Sequence, residues 1–311
     1  LKMSTDTRHS LNGPTMGTRW TAVIVADAAF DSAALAADLA AAVACVDEQM
    51  STWKPSSDLM RLNRAALGEW QAMPPQIMAV LAAAEGMANA SEGLFDISVG
   101  DLVAAWGFGP ALGRIDPARI KAGVGKARLG PSFALDMSKG QARRLQDVQL
   151  DLSGIAKGYA VDQLAETCAR HGIANYLVGI DGEMRAAGHR PDAAPWAVAL
   201  EAPLVGSRSA LGVIELSDRA VATSGDYRHF VTLGQARLSH TMNPHTGGPV
   251  QGALASVSVL ADTCMQADAW ATVLLILGEV AGPALARARG IEAIFLVPRA
   301  DGVEQIVINP N

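Results

Sequence analysis

The chain has 311 residues with 30 Gly and 15 Pro, so it is neither collagen-like nor low-complexity, and it is long enough to bury about three quarters of its unfolded surface. Lys+Arg total 25 against 31 Asp+Glu, a net charge of -6 with no Lys/Arg block longer than a pair, which argues against a nucleic-acid partner. The most apolar stretches, Ala33 to Val46 and Ala269 to Leu277, fall short of the ~18 apolar residues expected of a membrane-spanning helix.

In chain order, Trp20 to Ala26 places Thr21, Val23 and Val25 at alternate positions and predicts a strand. Asp31 or Ser32 then caps a helix whose apolar face is Leu35, Leu39, Val43, Val46 and Met50. Ser51 to Asn63 is turn-rich, and Pro74-Pro75 opens a helix with Ile77, Val80, Leu81 and Met87 inward, ended by Gly93. Phe133 to Leu152 predicts short strands around a turn at Ser138-Lys139-Gly140. A helix with Ile155, Tyr159, Leu164 and Cys168 follows, stopped by Gly172. Beyond Asn175 the pattern becomes short strands: Tyr176 to Ile180, Trp196 to Glu201, Leu211 to Leu216, Phe230 to Leu233 and Ser256 to Leu260. A helix capped by Asp262 or Thr263 and two late strands, Glu292 to Val297 and Val303 to Ile308, close the chain. Strands and helices in clumps, with no βαβ alternation, give an α+β class with largely antiparallel sheets. No repeat or Pro/Ser-rich linker divides residues 1–311, which read as one domain or two intimately packed subdomains.

Four segments can carry chemistry. In the last long helix Asp268 and Thr272 are four apart and share a face, two hard oxygen donors of the type Mg²⁺ takes; the bland alternative has Asp268 in solvent and Thr272 bonded to its own backbone. Apolar neighbours Met265, Trp270, Ala271, Leu274 and Leu275 weigh against an unpaired carboxylate there. Asp151-Leu152-Ser153-Gly154-Ile155-Ala156-Lys157-Gly158 lies at a strand-to-helix junction. Gly154 and Gly158 permit close backbone approach, and helix N-terminal amides with Lys157 suit phosphate; alternatively Ser153 is a helix cap and Lys157 is solvated. Ser239 to Pro249 is a turn-forming loop holding His240 and His245, where a histidine is either a general base or a surface imidazole. Met16-Gly17-Thr18 precedes the first strand, with Met16 ordinary core on the plain reading. Cys45, Cys168 and Cys264 are too scattered for a zinc knuckle or disulfide framework and read as buried thiols.

These segments, in this order, together with Met50-Ser51-Thr52-Trp53, with Ser57, Leu59, Leu62 and Asn63, and with Gly93 to Gly100, resemble the ApbE family of FAD:protein FMN transferases from about Met16 to Thr272. The resemblance implies an ApbE-like fold and an enzyme that splits FAD, joins FMN by a phosphoester to a Thr or Ser of an acceptor protein, and releases AMP with the help of Mg²⁺. By the same resemblance Asp268, Thr272 and the carbonyl of Gly154 hold the metal, and Met16, Trp53, Leu94, Phe95, Asp96, Asp151, Lys157 and Met242 line the FAD. Lys157 and Asp268 are expected to act in catalysis. His240 is the candidate for taking the acceptor hydroxyl proton, with Asp151 or a water on the metal as alternatives. Relatives often carry Gly-Gly where this chain has Asp181-Gly182, so Asp181 either contacts the cofactor or is a loop residue without a role.

Acceptors in the family are subunits of membrane redox complexes: sodium-pumping quinone reductase, Rnf-type complexes and NosR-type regulators. Family members are usually exported to the periplasm; Leu1-Lys2-Met3-Ser4 opens no charged segment followed by an apolar run, so that location is expected from the resemblance alone. The other readings of the same residues are an FAD pyrophosphatase giving free FMN and AMP, and a flavin-binding protein without turnover.

Overall fold

The computed structural model describes residues 6–111, 113–124, 130–203, 209–225, 230–233 and 236–309, so the opening Leu1 to Ser4 lies outside the described residues. The chain begins with β1 (Asp6–Thr15) and β2 (Thr18–Asp27), followed by α1 (Ala33–Met50), α2 (Asp58–Arg64), β3 (Gln71–Ala72), α3 (Pro75–Ala90), α4 (Gly100–Ala105) and α5 (Pro117–Gly123). Next come β4 (Phe133–Asp136), β5 (Gln141–Arg144) and α6 (Ala156–Arg170). A strand-rich stretch holds β6 (Tyr176–Ile180), β7 (Glu183–Ala187), β8 (Trp196–Glu201), β9 (Ala210–Leu216), β10 (Ala220–Gly225), β11 (Phe230–Leu233) and β12 (Ala236–Ser239). It continues through β13 (Met242–Asn243), β14 (Gly248–Pro249) and β15 (Ser256–Ala261), before α7 (Cys264–Arg289), β16 (Glu292–Arg299) and β17 (Gly302–Ile308).

The central sheet has the order β1-β2-β6-β7-β10-β15-β16-β17, and every pairing among the described strands is antiparallel, as an α+β chain requires. Its two faces follow the period of two. Trp20, Ala22 and Ile24 of β2 join the large core shared with α1, α3, α6 and α7, while Val23 and Val25 turn toward the β8–β9 hairpin, where Trp196, Leu200, Ile214 and Leu216 cover the other face. On α1 the expected face of Leu35, Leu39, Val43, Val46 and Met50 is buried, each large side chain contributing roughly 1.5–3 kcal/mol relative to exposure.

Several elements escaped the sequence pattern. β1 reads Asp-Thr-Arg-His-Ser-Leu-Asn-Gly-Pro-Thr without apolar alternation, because it is an edge strand, where Pro14 is tolerated. Gly13 is needed there: a Cβ at that position would stand 2.6 Å from the indole nitrogen of Trp20 on the partner strand. The turn-rich stretch after Ser51 contains α2, capped by the Ser57 hydroxyl, which accepts from the Met60 N–H at 3.1 Å. For α1 it is Asp31 that accepts the Ala33 N–H, at 3.0 Å, while Ser32 makes no side-chain cap bond.

α7 exceeds the apolar run that the sequence delimits. It is 26 residues long, and an 18-residue window within it reaches the mean hydropathy, 1.6, of a membrane-spanning helix by composition alone, which corrects the expectation that no stretch would. Half of that apolar window is buried inside the fold, against the sheet and α6, as in the core helix of a packed domain. Gly278, at φ 75°, interrupts the helical backbone, and Gly290 at φ 64° closes it in the left-handed region.

Candidate active site

The site is organised by the contact between α6 and α7. Gly158 on α6 donates its backbone N–H to Oδ2 of Asp268 on α7 at 3.0 Å. One turn further along α6, the buried carboxylate of Asp162 accepts from the N–H groups of Cys264 and Met265 at 2.9 Å each and from Arg185 at 2.6 Å. Asp162 thereby supplements the Thr263 hydroxyl, which accepts from Gln266 N–H at 3.3 Å, and satisfies amides that a helix start leaves without partners. α7 is thus pinned to α6 at its first turn, and Asp268 is delivered to the cleft a turn later.

The bland alternatives for this region fail. Asp268 is 4% exposed. Its carboxyl is pushed up to about 7 by burial first and by the charge of Glu183 second, against the opposing pull of Lys157 and the Gly158 N–H. Lys157 is paired with the buried Glu183, and Ser153 does not cap α6, whose cap position is Ile155; the Ser153 N–H instead donates to Asp151 at 2.8 Å. Thr272 lies 3.3 Å, hydroxyl to hydroxyl, from Ser224, and a Cβ on Gly154 would be 3.2 Å from the Thr272 hydroxyl. Glycine at 154 lets the chain pass close to Thr272 and Phe95 without crowding the hydroxyl.

Around these groups opens a cleft of about 710 Å³. Met16, Trp53, Leu94, Phe95, Asp96, Asp151, Gly154, Lys157, Asp181, His240, Met242, Asp268 and Thr272 all line it, although the sequence spreads them over more than 250 positions. Two hairpin turns bring in the first and the ninth. Met16-Gly17 joins β1 to β2 with φ of 47° and 73°, the double positive φ of a type I′ turn. Asp181-Gly182 joins β6 to β7, with Asp181 at φ 55°, where a carboxylate side chain is held at the cleft by a backbone conformation that usually favours glycine. Phe95 and Met242 are buried, whereas Trp53 is 61% exposed.

Several lining residues were not expected from the sequence. Glu183 opens β7, is 2% exposed, and accepts from Lys157 through Oε1 and from the Gly182 N–H through Oε2 at 3.2 Å. The Asp-Gly pair before it is a hairpin signal, so β7 and Glu183 were within reach of turn chemistry. Thr223 and Ser224 of β10 and Ser256 and Ser258 of β15 bring hydroxyls to the same wall, with Thr223 and Ser258 bonded at 2.7 Å. β10 lacks the apolar alternation that marks an isolated strand, and nothing local singled these residues out.

Among the described residues there is no cluster of three or more His, Cys, Asp or Glu able to hold a metal by itself. The donors grouped about Thr272 are the Asp268 carboxylate one turn earlier, the hydroxyls of Thr272 and Ser224, and the backbone beside Gly154. Such a set is all hard oxygen and too small to saturate a cation. It fits Mg²⁺, which keeps waters and takes substrate phosphate oxygens to complete its shell.

Comparisons with known proteins point to one family. The family model described as "ApbE family" matches residues 16–295. The FAD:protein FMN transferase of Vibrio cholerae is 36% identical over 297 residues, covering 95% of this chain and 89% of the relative, and that of Escherichia coli K12 is 33% identical, covering 94% and 84%. Among solved structures, the apo form of the Pseudomonas stutzeri flavinyl transferase ApbE superposes with a TM-score of 0.86 at 32% identity, over 99% of this chain and 96% of that one. The Vibrio cholerae flavin transferase ApbE gives 0.84 at 34%, over 97% of each. With a match that spans every residue lining the cleft from Met16 to Thr272, this chain, a transferase by that relationship, belongs to the ApbE family.

Proposed function

We propose that the chain is a Mg²⁺-dependent FAD:protein FMN transferase that binds FAD in the cleft and passes the FMN group to a Thr or Ser hydroxyl of an acceptor protein, releasing AMP. The observation that carries this reading is the convergence, in one cleft, of a buried carboxylate with hydroxyl donors, a lysine, and apolar surface suited to a flat ring.

Asp268, Thr272 and the Gly154 carbonyl would hold the cation, which when bound would neutralise phosphate charge and favour attack at phosphorus. Lys157 would offer its ammonium to the diphosphate. Trp53, Phe95 and Met242 present stacking and apolar surface, and Asp96 and Asp151 can accept hydrogen bonds from ribose or base N–H and O–H groups. Gly154 and Gly158 leave room for the backbone to approach substrate and α7. His240, half-buried in the cleft wall, would take the proton from the attacking hydroxyl as the bond from flavin-side phosphate to AMP breaks. Asp181 would lie beside the phosphates, within electrostatic range of Lys157.

By the same family relationship, the acceptor would be a subunit of a membrane redox complex of the sodium-pumping quinone reductase, Rnf or NosR type, met in the periplasm. Incubation with FAD, Mg²⁺ and an acceptor-motif peptide tests the reading: it expects a peptide gaining the mass of FMN together with AMP. Free FMN with AMP would indicate the pyrophosphatase instead, and neither product a flavin carrier.

A further inference from the structure

The β6–β7 hairpin carries a feature that the metal and flavin contacts do not require. Glu183 and Arg185 are two apart on β7 and each pairs with a charged residue of α6: Glu183 with Lys157, and Arg185 with Asp162. The second pair is structural, since Asp162 spends its remaining capacity on the α7 amides. The first has a different geometry. Glu183 is 2% exposed with both oxygens engaged, one by Lys157 and one by Gly182 N–H, whereas the Lys157 side chain keeps 34% of its surface open and lines the cleft. An ammonium has three N–H donors in tetrahedral array. Glu183 fixes one of them and so directs the others.

We propose that Glu183 is a positioning residue for Lys157, holding the ammonium at the cleft wall so that its remaining N–H donors meet the diphosphate of the substrate. This rests on the assignment of the cleft to FAD. A lysine on a four-carbon stem is otherwise a mobile point charge, and anchoring it removes the rotamer entropy that each phosphate contact would have to overcome. Asp162 and Arg185 hold the same helix and strand together, so the anchor is rigid on both sides.

The test compares flavin binding, read by fluorescence quenching, for FAD and for riboflavin, which has the ring and no phosphate. In Glu183→Gln, FAD affinity is expected to fall about tenfold, the scale of one charge-assisted hydrogen bond, with riboflavin affinity unchanged. In a Lys157→Met background, adding Glu183→Gln is expected to leave FAD affinity, measured in chelator, unchanged, because Glu183 reaches the diphosphate only through the lysine; this comparison holds even if the single variant folds poorly. Equal losses for FAD and riboflavin, no loss for either, or a further tenfold loss in the double variant would overturn the positioning role while wild-type FAD binding stands. Wild-type protein that binds no FAD would remove the assignment of the cleft and the proposal with it.

Discussion

Gly158 and Asp268 touch across the α6–α7 interface: the glycine N–H donates to the carboxylate at 3.0 Å, and a Cβ at position 158 would lie 2.8 Å from the Cβ of Asp268 and 2.4 Å from the carbonyl oxygen of Cys264. The absence of a side chain at 158 therefore sets where Asp268 stands.

Gly158→Ala should push the two helices apart. Overpacking of a tight contact costs about 1–3 kcal/mol, and displacing the carboxylate removes it from Thr272 and Gly154. The expected outcome is a lower urea midpoint and a Mg²⁺ requirement for transfer shifted to higher concentration. Gly154→Ala meets the Thr272 hydroxyl at 3.2 Å and should weaken the metal dependence with a smaller loss of stability. A Gly158→Ala protein with wild-type midpoint and wild-type Mg²⁺ titration would show that the interface is more yielding than these distances imply.

Asp268 should also give the metal-free protein a pH-dependent stability. Its carboxyl lies at about 7 in the fold against 3.8 in the open chain, so across that interval the native state holds the extra proton. Unfolding free energy then declines as pH rises from about 4 to 7, by a few kcal/mol, and is flat on either side as far as this group is concerned. Asp268→Asn should remove that decline. Denaturation midpoints in chelator at several pH values check the sign: a wild type that gains stability over this interval because of Asp268 would contradict it.

Much of this site was legible because its residues sit in short motifs whose chemistry is local. The spacing of Asp268 and Thr272 requires only a helix, and Gly154 to Gly158 only a strand-to-helix junction. What stayed hidden depends on partners distant in the chain. Glu183 has meaning only when β7 brings it to Lys157, 26 residues earlier, and Asp162 only when the fold lays it against the first amides of α7, more than 100 residues later. The edge strand β1 and the hydroxyl-bearing β10 lack alternation for the same reason: their neighbours in the sheet, not their own pattern, hold them extended.

His240 should separate binding from chemistry. It lines the cleft from the loop between β12 and β13, on a different element from Asp268 and Thr272. His240→Ala is expected to lower the rate of flavin transfer to an acceptor peptide by about 100-fold or more, the usual scale of general-base assistance, with FAD affinity within a few-fold of wild type. Full-rate transfer in that variant would assign proton removal to another group.

Asp162 should matter to stability more than its distance from the cleft suggests. Its carboxylate takes two amides at the start of α7 and the guanidinium of Arg185, so Asp162→Ala leaves buried N–H groups without partners and Arg185 without its counter-charge. Loss of a helix cap costs about 0.5–2 kcal/mol and loss of a charge-assisted hydrogen bond about 1.5–3, so a drop of roughly 2–5 kcal/mol is expected, read as a lower urea midpoint at unchanged slope. Because the first turn of α7 also fixes the register of Asp268, the Mg²⁺ titration should weaken in the folded fraction. Asp162→Asn, which can still accept one of the amide bonds, should recover part of the stability. An alanine variant within about 0.5 kcal/mol of wild type would mean that α7 is held by its apolar face alone.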